Sequence, residues 1–419
     1  MRDIINYRMD FILKNMNRRS FINHIALAGA TASLASFTGN AMPFMASSNF
    51  VPVDPDINYH ILDHIEFTDV QLRYPRLVGR NAQKGIHGYG PQINICSVYT
   101  GQGAKGIGML RGSKQEAEEA FAILKGKKLS DVFSVEKGAL NKEALIFDIP
   151  FHDLAGIILE KPVYKLLGRE NPLATKCYSG MIYMDDIDPK ENPSGLDKIF
   201  DECQYDYEYG YRQFKLKIGR GKKWLSPEAG LKRDIEVTKL VHDYFPDCDI
   251  LVDANDGYDI DTFIRYLEGI EDIPLWWIEE PFRETEKDYA ILRTWLSNNR
   301  RRNTLLADGE AYPDLPLALD LGDKGLLDVY LEDLIGYGFS RWRELIPTLK
   351  QHKLLASPHN WGEYVKTLYT MHLASGLGNV CTIEGVTCYS SDIDFGRAVL
   401  KNGILTPADT PGFGMTLLK

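Results

Sequence analysis

Little in this chain invites disulfide or zinc chemistry. Its six cysteines, Cys96, Cys177, Cys203, Cys248, Cys381 and Cys388, include no C-x-x-C pair and no histidine at zinc-site spacing. Several sit in apolar, strand-like runs, so buried free thiols are expected. No apolar run reaches the roughly 20 residues that span a bilayer, and the mildest candidate, Ile22 to Phe37, is interrupted by Asn23 and His24. Internal repeats and low-complexity tracts are missing as well. So is any excess of positive charge: 48 Lys+Arg against 58 Asp+Glu leave a net charge of -10, spread along the chain. Stable membrane insertion and a nucleic-acid partner are thereby excluded from the expected functions.

What is present is an ordinary globular composition over 419 residues. That is too long for one compact core and suits a barrel of about 250 residues with a smaller companion domain. Residues 1–47 read as something apart. Arg18 and Arg19, in N-R-R-S-F-I, precede the weak apolar stretch, which then turns small and polar toward Ala41 and Ala46. This resembles a twin-arginine signal and implies export, with the periplasm as the expected location. Twin-arginine substrates fold before export, so free thiols do not conflict with an oxidising destination.

From about Leu62 to Gly168 the pattern is α+β, with a strand at Ile93 to Tyr99 and helical stretches at Ser113 to Leu124 and Ala144 to Leu159. A polar, Gly-rich loop, Gly79 to Gln92, carries His87 and Tyr89 as candidate substrate contacts. From Cys177 onward, short apolar runs alternate with helical segments, which is the texture of a parallel sheet. Eight strands are expected: Cys177 to Tyr183, Gln213 to Ile218, Ile250 to Asp253, Trp276 to Glu279, Leu305 to Ala307, Val329 to Leu331, Leu354 to Ser357 and Thr382 to Glu384. That number at that spacing predicts an α/β fold of the (β/α)8 TIM-barrel type.

Nearly every strand ends at an ionisable residue: Lys215 and Lys217, Asp253, Glu279, Glu310, Asp333, His359 and Glu384. The C-terminal strand ends of such a barrel share one face, so these residues converge. Asp253, Glu279 and Glu310 are hard oxygen donors on three adjacent strands and suit one Mg2+ per subunit, or Mn2+, better than zinc. Asp308 is an alternative to Glu310, and Asn255 is a neighbouring candidate for substrate binding. In K-L-K, Lys215 and Lys217 point to the same side. Lys215 is expected to bind a substrate carboxylate, and Lys217 to act as a base with a pKa depressed by burial and proximity. Asp333 can accept from His359 Nδ1 and leave Nε2 for proton transfer. Glu384 could donate toward a developing enolate if burial raises its pKa.

The motifs F-K-L-K-I-G, L-V-D-A-N, W-I-E-E-P-F, A-D-G-E, L-E-D-L-I-G-Y-G-F-S-R-W, S-P-H-N-W and I-E-G-V together resemble the mandelate racemase group of the enolase superfamily. F-D-I-P-F-H-D-L-A-G and K-P-V-Y-K-L-L-G look like that family's junction between capping domain and barrel. The resemblance implies a capping domain at 55–170, a barrel at 171–399, and a segment at 400–419 that completes the cap. It also implies Mg2+-dependent removal of the proton alpha to a carboxylate, with an enolate intermediate. Dehydration of an aldonic or aldaric acid is the first expectation; racemisation, epimerisation or cycloisomerisation is the second, and a non-catalytic sugar-acid-binding barrel the third. The expected partner is a small carboxylate, and the expected assembly a homo-oligomer.

Overall fold

The computed structural model describes residues 56–419; the twin-arginine motif and the rest of the leader lie outside the described residues. The chain opens with an antiparallel three-stranded sheet, β1 (Leu62–Gln71), β2 (Gln92–Thr100) and β3 (Lys105–Gly108). Helix α1 (Lys114–Leu124) packs against it and is closed at its start by a capping box between Ser113 and Glu116. The expected helical stretch from Ala144 to Leu159 is two helices, α2 (Lys142–Ile146) and α3 (Asp148–Ile158), parted at Phe147. Pro150 explains the break: without an N–H it is tolerated only in the first turn of a helix, so a new helix starts just before it. A buried cluster including Val98, Phe121, Phe147, Phe151 and Leu154 holds sheet and helices together.

The barrel strands fall where the sequence pattern puts them, within one or two residues. They are β4 (Thr175–Ile182), β5 (Gln213–Lys217), β6 (Asp249–Asp253), β7 (Trp277–Glu279), β8 (Leu305–Asp308), β9 (Val329–Tyr330), β10 (Leu355–Ala356) and β11 (Ile383–Gly385). Successive strands pair in parallel from β4 to β10. β11 returns to β4, and an Ala356–Val380 bridge joins the last gap. Alternation along the strands divides the apolar residues in two. Phe214, Leu216, Val252, Ile278 and Leu306 face the surrounding helices, each worth about 1.5–3 kcal/mol of burial. Tyr178, Leu251, Trp277, Ala307 and Val329 form a separate cluster, and they plug the barrel interior one layer below the polar strand ends.

The C-terminal segment is attached at several points, among them a short antiparallel pairing of Thr416–Leu417 with Ile393–Asp394. A hairpin of β12 (Val399–Lys401) and β13 (Ile404–Thr406) adds antiparallel to β4, extending the barrel sheet. Further on, Gly412 exchanges backbone bonds with Lys161 and Val163, and the Phe413 N–H donates to Asp153 of α3. Lys165 also pairs with Asp409 at 2.8 Å, whereas the hairpin's strand edge is satisfied by the barrel.

Candidate active site

The strand register builds the site. Lys217 lies beside Asp253, and Asp253 beside Glu279, in the aligned parallel ladder, so side chains of the same parity emerge together at the barrel mouth. Glu310 arrives from beyond β8 through Gly309, whose φ of 114° is open to glycine; a Cβ there would lie 2.8 Å from the Tyr330 ring. That turn separates the two carboxylates of A-D-G-E. Asp308 is turned away, accepting from Tyr289 Oη at 2.5 Å and from the Gly309 N–H at 2.6 Å. Glu310 joins Asp253 and Glu279, with one oxygen from each lying within 4.8 Å of the others.

This trio fits a divalent cation. Glu279 Oε2 and Glu310 Oε2 are buried without a hydrogen-bond partner, a costly state for anionic oxygens unless a positive charge is bound there. Burial, then repulsion from Asp253, pushes Glu279 well above the usual carboxylate range. Oxygens about 3–4 Å apart are the spacing of an octahedral shell of radius about 2.1 Å, and all-oxygen donors suit Mg2+ or Mn2+.

Both lysines are buried, but their charge state differs from the expectation. Burial alone would depress Lys217; Asp253, Glu310 and Glu279 outweigh it and raise the ammonium instead. Lys217 donates to Asp253, and to Asn255 Oδ1 at 3.2 Å. Asn255 thus orients Lys217 through Oδ1. Lys215 likewise overcomes its burial, being raised well above normal by Glu279 and Glu384 first among its neighbours. Its ammonium is enclosed by Glu279 at 2.9 Å, Glu384 at 3.0 Å and Asp253 at 3.2 Å. It lies behind these carboxylates as their counter-charge and is not among the residues facing the cavity. A cation on the trio would offset the acids that hold Lys217 protonated and so favour its free base.

Across the mouth, His359 Nδ1 lies 3.3 Å from Asp333 Oδ2 and Nε2 lies 3.4 Å from Glu310. Burial opposes the imidazolium, but Glu310, Asp333 and Glu384 together raise its pKa. The backbone carries this pairing, since Asp333 and His359 form a parallel bridge. Glu384 departs from the reading as a proton donor. Burial would raise it, yet Lys215, His359 and the Asn360 N–H bring it down to about 2. It is a standing carboxylate, and it orders Lys215.

Above these groups lies a cavity of about 380 Å³ lined by Lys217, Glu310 and His359 on the barrel side. The Gly79 to Gln92 loop roofs it. His87 lines it as expected, whereas Tyr89 is 65% exposed and points away, being tied by its backbone carbonyl to the Tyr74 N–H. The loop is pinned to the barrel by Arg80 with Asp188, by the Gly79 N–H to Asp185, and by Gln83 to the Asn255 carbonyl. Residues unforeseen in the sequence complete the lining: Tyr74, Asn81 and Lys84 from the cap, and Tyr183, Trp361 and Lys366 from the barrel. Trp361, two residues past His359, and Tyr183, at the end of a predicted strand, were open to notice. Lys366 lies on the helix Tyr364–Leu377 and carries no signal of its own.

Residues 198–419, more than half the chain, match the family described as Enolase C-terminal domain-like. The chain belongs to the enolase superfamily. Among structures of that superfamily, galacturonate dehydratase of Geobacillus sp. is 28% identical with a TM-score of 0.78, over 88% of this chain and 95% of the other, in a variant complexed with Mg. A second structure of it, complexed with D-galacturonate and 5-keto-4-deoxy-D-galacturonate, gives a TM-score of 0.77 at 28% identity over 86% and 95%. D-galactarolactone cycloisomerase of Agrobacterium fabrum (strain C58) is 23% identical over 86% of this chain and 95% of its own length. The 3,6-anhydro-alpha-L-galactonate cycloisomerase of Streptomyces coelicolor is 30% identical over 64% and 68%. The mandelate racemase resemblance and the α/β barrel class both hold for this member of the superfamily.

Proposed function

We propose that this enolase-superfamily member is a Mg2+-dependent hydro-lyase that removes the proton alpha to the carboxylate of a sugar acid and eliminates the β-hydroxyl as water. The observation that carries the reading is one cavity in which Lys217, His359 and the orphaned carboxylate of Glu310 meet. Asp253, Glu279 and Glu310 would hold the ion, which when bound supplies a fixed positive charge against the substrate carboxylate. Lys217, as the free amine, takes the alpha proton, Asn255 keeps its Nζ aimed, and the electron pair forms the new double bond. His359, oriented by Asp333, gives its proton to the departing hydroxyl. Lys215 and Glu384 hold the acidic trio in place from below. The similarity to galacturonate dehydratase supports elimination; the two cycloisomerases support a second reading, in which the carbanion-like intermediate is reprotonated within the same site.

A panel of acid sugars in deuterium oxide tests this. Metal-dependent alpha-proton exchange together with loss of water is expected, exchange with an isomeric product indicates the second reading, and neither with any acid refutes both. Export by the twin-arginine route is part of the proposal, supported by Arg18 and Arg19, as is assembly into a homo-oligomer. Among the described residues no helix is long and apolar enough to cross a membrane.

A further inference from the structure

One wall of the cavity is aromatic and has no part in the chemistry above. Trp361 lies at its centre, with the rings of His87, Tyr183 and Tyr74 at 4.6, 5.2 and 6.0 Å between centroids. The wall begins where the proton is taken, because the Lys217 ammonium sits 5.4 Å from the Tyr183 ring centroid. Three of the four rings have a polar atom already engaged by backbone. Trp361 Nε1 donates to the Gly180 carbonyl at 2.9 Å, Tyr74 Oη to the Gly362 carbonyl at 2.8 Å, and His87 Nδ1 to the Gly79 carbonyl at 2.7 Å. A carbonyl can only accept, so Nδ1 carries the hydrogen and Nε2 is left as a lone pair. Burial, then nearby Lys217 and Lys84, keeps that imidazole neutral by lowering its pKa.

The wall thus offers flat apolar surface, with His87 Nε2 and the two tyrosine oxygens as its polar points. An open-chain polyol acid carries hydroxyls on every side, and those turned to the ring faces of such a wall would lose their water without gaining partners. A closed sugar ring differs: its C–H groups cluster on a face that can lie against an indole, while its hydroxyls radiate toward the rim. We propose that the cavity receives its sugar acid as a closed ring, a pyranose uronate, with one ring face on Trp361 and a ring hydroxyl donating to His87 Nε2. This rests on the reading of the site as one for sugar acids. In such a ring the hydrogen alpha to the carboxylate and the β-hydroxyl are on adjacent ring carbons. The C–H bond breaks with its proton passing to the site's base, its electron pair forms a ring C=C, and the C–O bond breaks as the hydroxyl takes a proton from His359 and leaves as water. A free anomeric hydroxyl then lets the product ring open to a keto acid; a glycoside keeps the unsaturated ring, which absorbs in the ultraviolet.

The probes are the methyl glycosides of galacturonate and glucuronate, whose rings cannot open, set against open-chain galactonate and galactarate. Calorimetric titration in saturating Mg2+ should show at least one glycoside binding about ten-fold or more tightly than either open-chain acid. Trp361→Leu should weaken that glycoside about ten-fold and the open-chain acids less, and Trp361→Phe should restore most of the loss. Weaker binding of both glycosides than of the open-chain acids overturns the proposal. So does an equal loss for all acids in Trp361→Leu, which is the mark of a merely structural tryptophan, and so does tighter binding of mandelate, which would make the wall a seat for an aryl group. If an open-chain acid is dehydrated while neither glycoside binds, ring recognition falls and the sugar-acid reading stands. If no acid exchanges its proton yet a glycoside binds through Trp361, the catalytic reading falls and ring recognition stands.

Discussion

At Glu279 one carboxylate oxygen holds Lys215 while the other is buried and unpaired. Glu279→Gln keeps the shape and removes the charge, so it should abolish Mg2+ binding by calorimetry. It should also lower kcat/KM by more than the roughly 100-fold that supporting residues cost, with the circular dichroism of the barrel preserved. Retained activity after exhaustive chelation of the parent would remove the basis for this. The division of labour between the two proton carriers gives a second expectation. His359→Asn should lose at least about 100-fold in water elimination, a typical contribution of general acid catalysis. Lys217 should still exchange the alpha proton of bound substrate with deuterium oxide. Should that variant dehydrate at near the parent rate, the acid is another group and His359 has been misassigned.

Helix α3 is the element that ties the cap to the end of the chain. Its Asp153 is buried and accepts from the Ile107 N–H of β3 and from the Phe413 N–H, both at 2.8 Å. Burial pushes this carboxyl up from 3.8 to about 7, against the pull of those two N–H groups. A folded-state pKa raised above the unfolded one gives stability that is complete below the unfolded value and is lost as pH rises through the folded value. Asp153→Asn turns an amide N–H toward one backbone N–H and should cost about 1–3 kcal/mol at low pH. The parent's advantage should then shrink between about pH 4 and 7. Urea unfolding of both proteins across that window measures it, and an advantage that grew with pH would contradict the assignment.

For the whole molecule, the prediction concerns the segment before the fold. If Arg18 and Arg19 direct export of an already folded barrel, replacing both with lysine should strand the protein in the cytoplasm with its activity intact. Fractionation followed by an activity assay on each compartment decides this. Unchanged export of the double variant would refute the twin-arginine reading while leaving the chemistry untouched. The six free cysteines are consistent with folding before export, since none of them needs an oxidising compartment to pair.

The barrel was legible in the sequence because a (β/α)8 fold writes its period into the chain: eight short apolar runs at nearly regular spacing, all but the first ending at or just before an ionisable residue. The same logic located Asp253, Glu279, Lys217, Asp333 and His359, since strand ends of like parity must emerge on one face. What the sequence could not decide was how neighbours divide their work at distances set by packing. K-L-K makes its two lysines look alike, yet Lys215 is enclosed by three carboxylates and Lys217 faces the cavity. Asp308 and Glu310 stand two residues apart, and only the turn at Gly309 shows which one meets the metal-capable pair. Glu384 is charged because Lys215 and His359 lie beside it, a fact of proximity between strands far apart in the chain. His87 and Tyr89 share a loop, and its path brings one into the cavity and turns the other to solvent. Side-chain charge and loop direction are settled by non-local contacts, and so they belong to the tertiary structure alone.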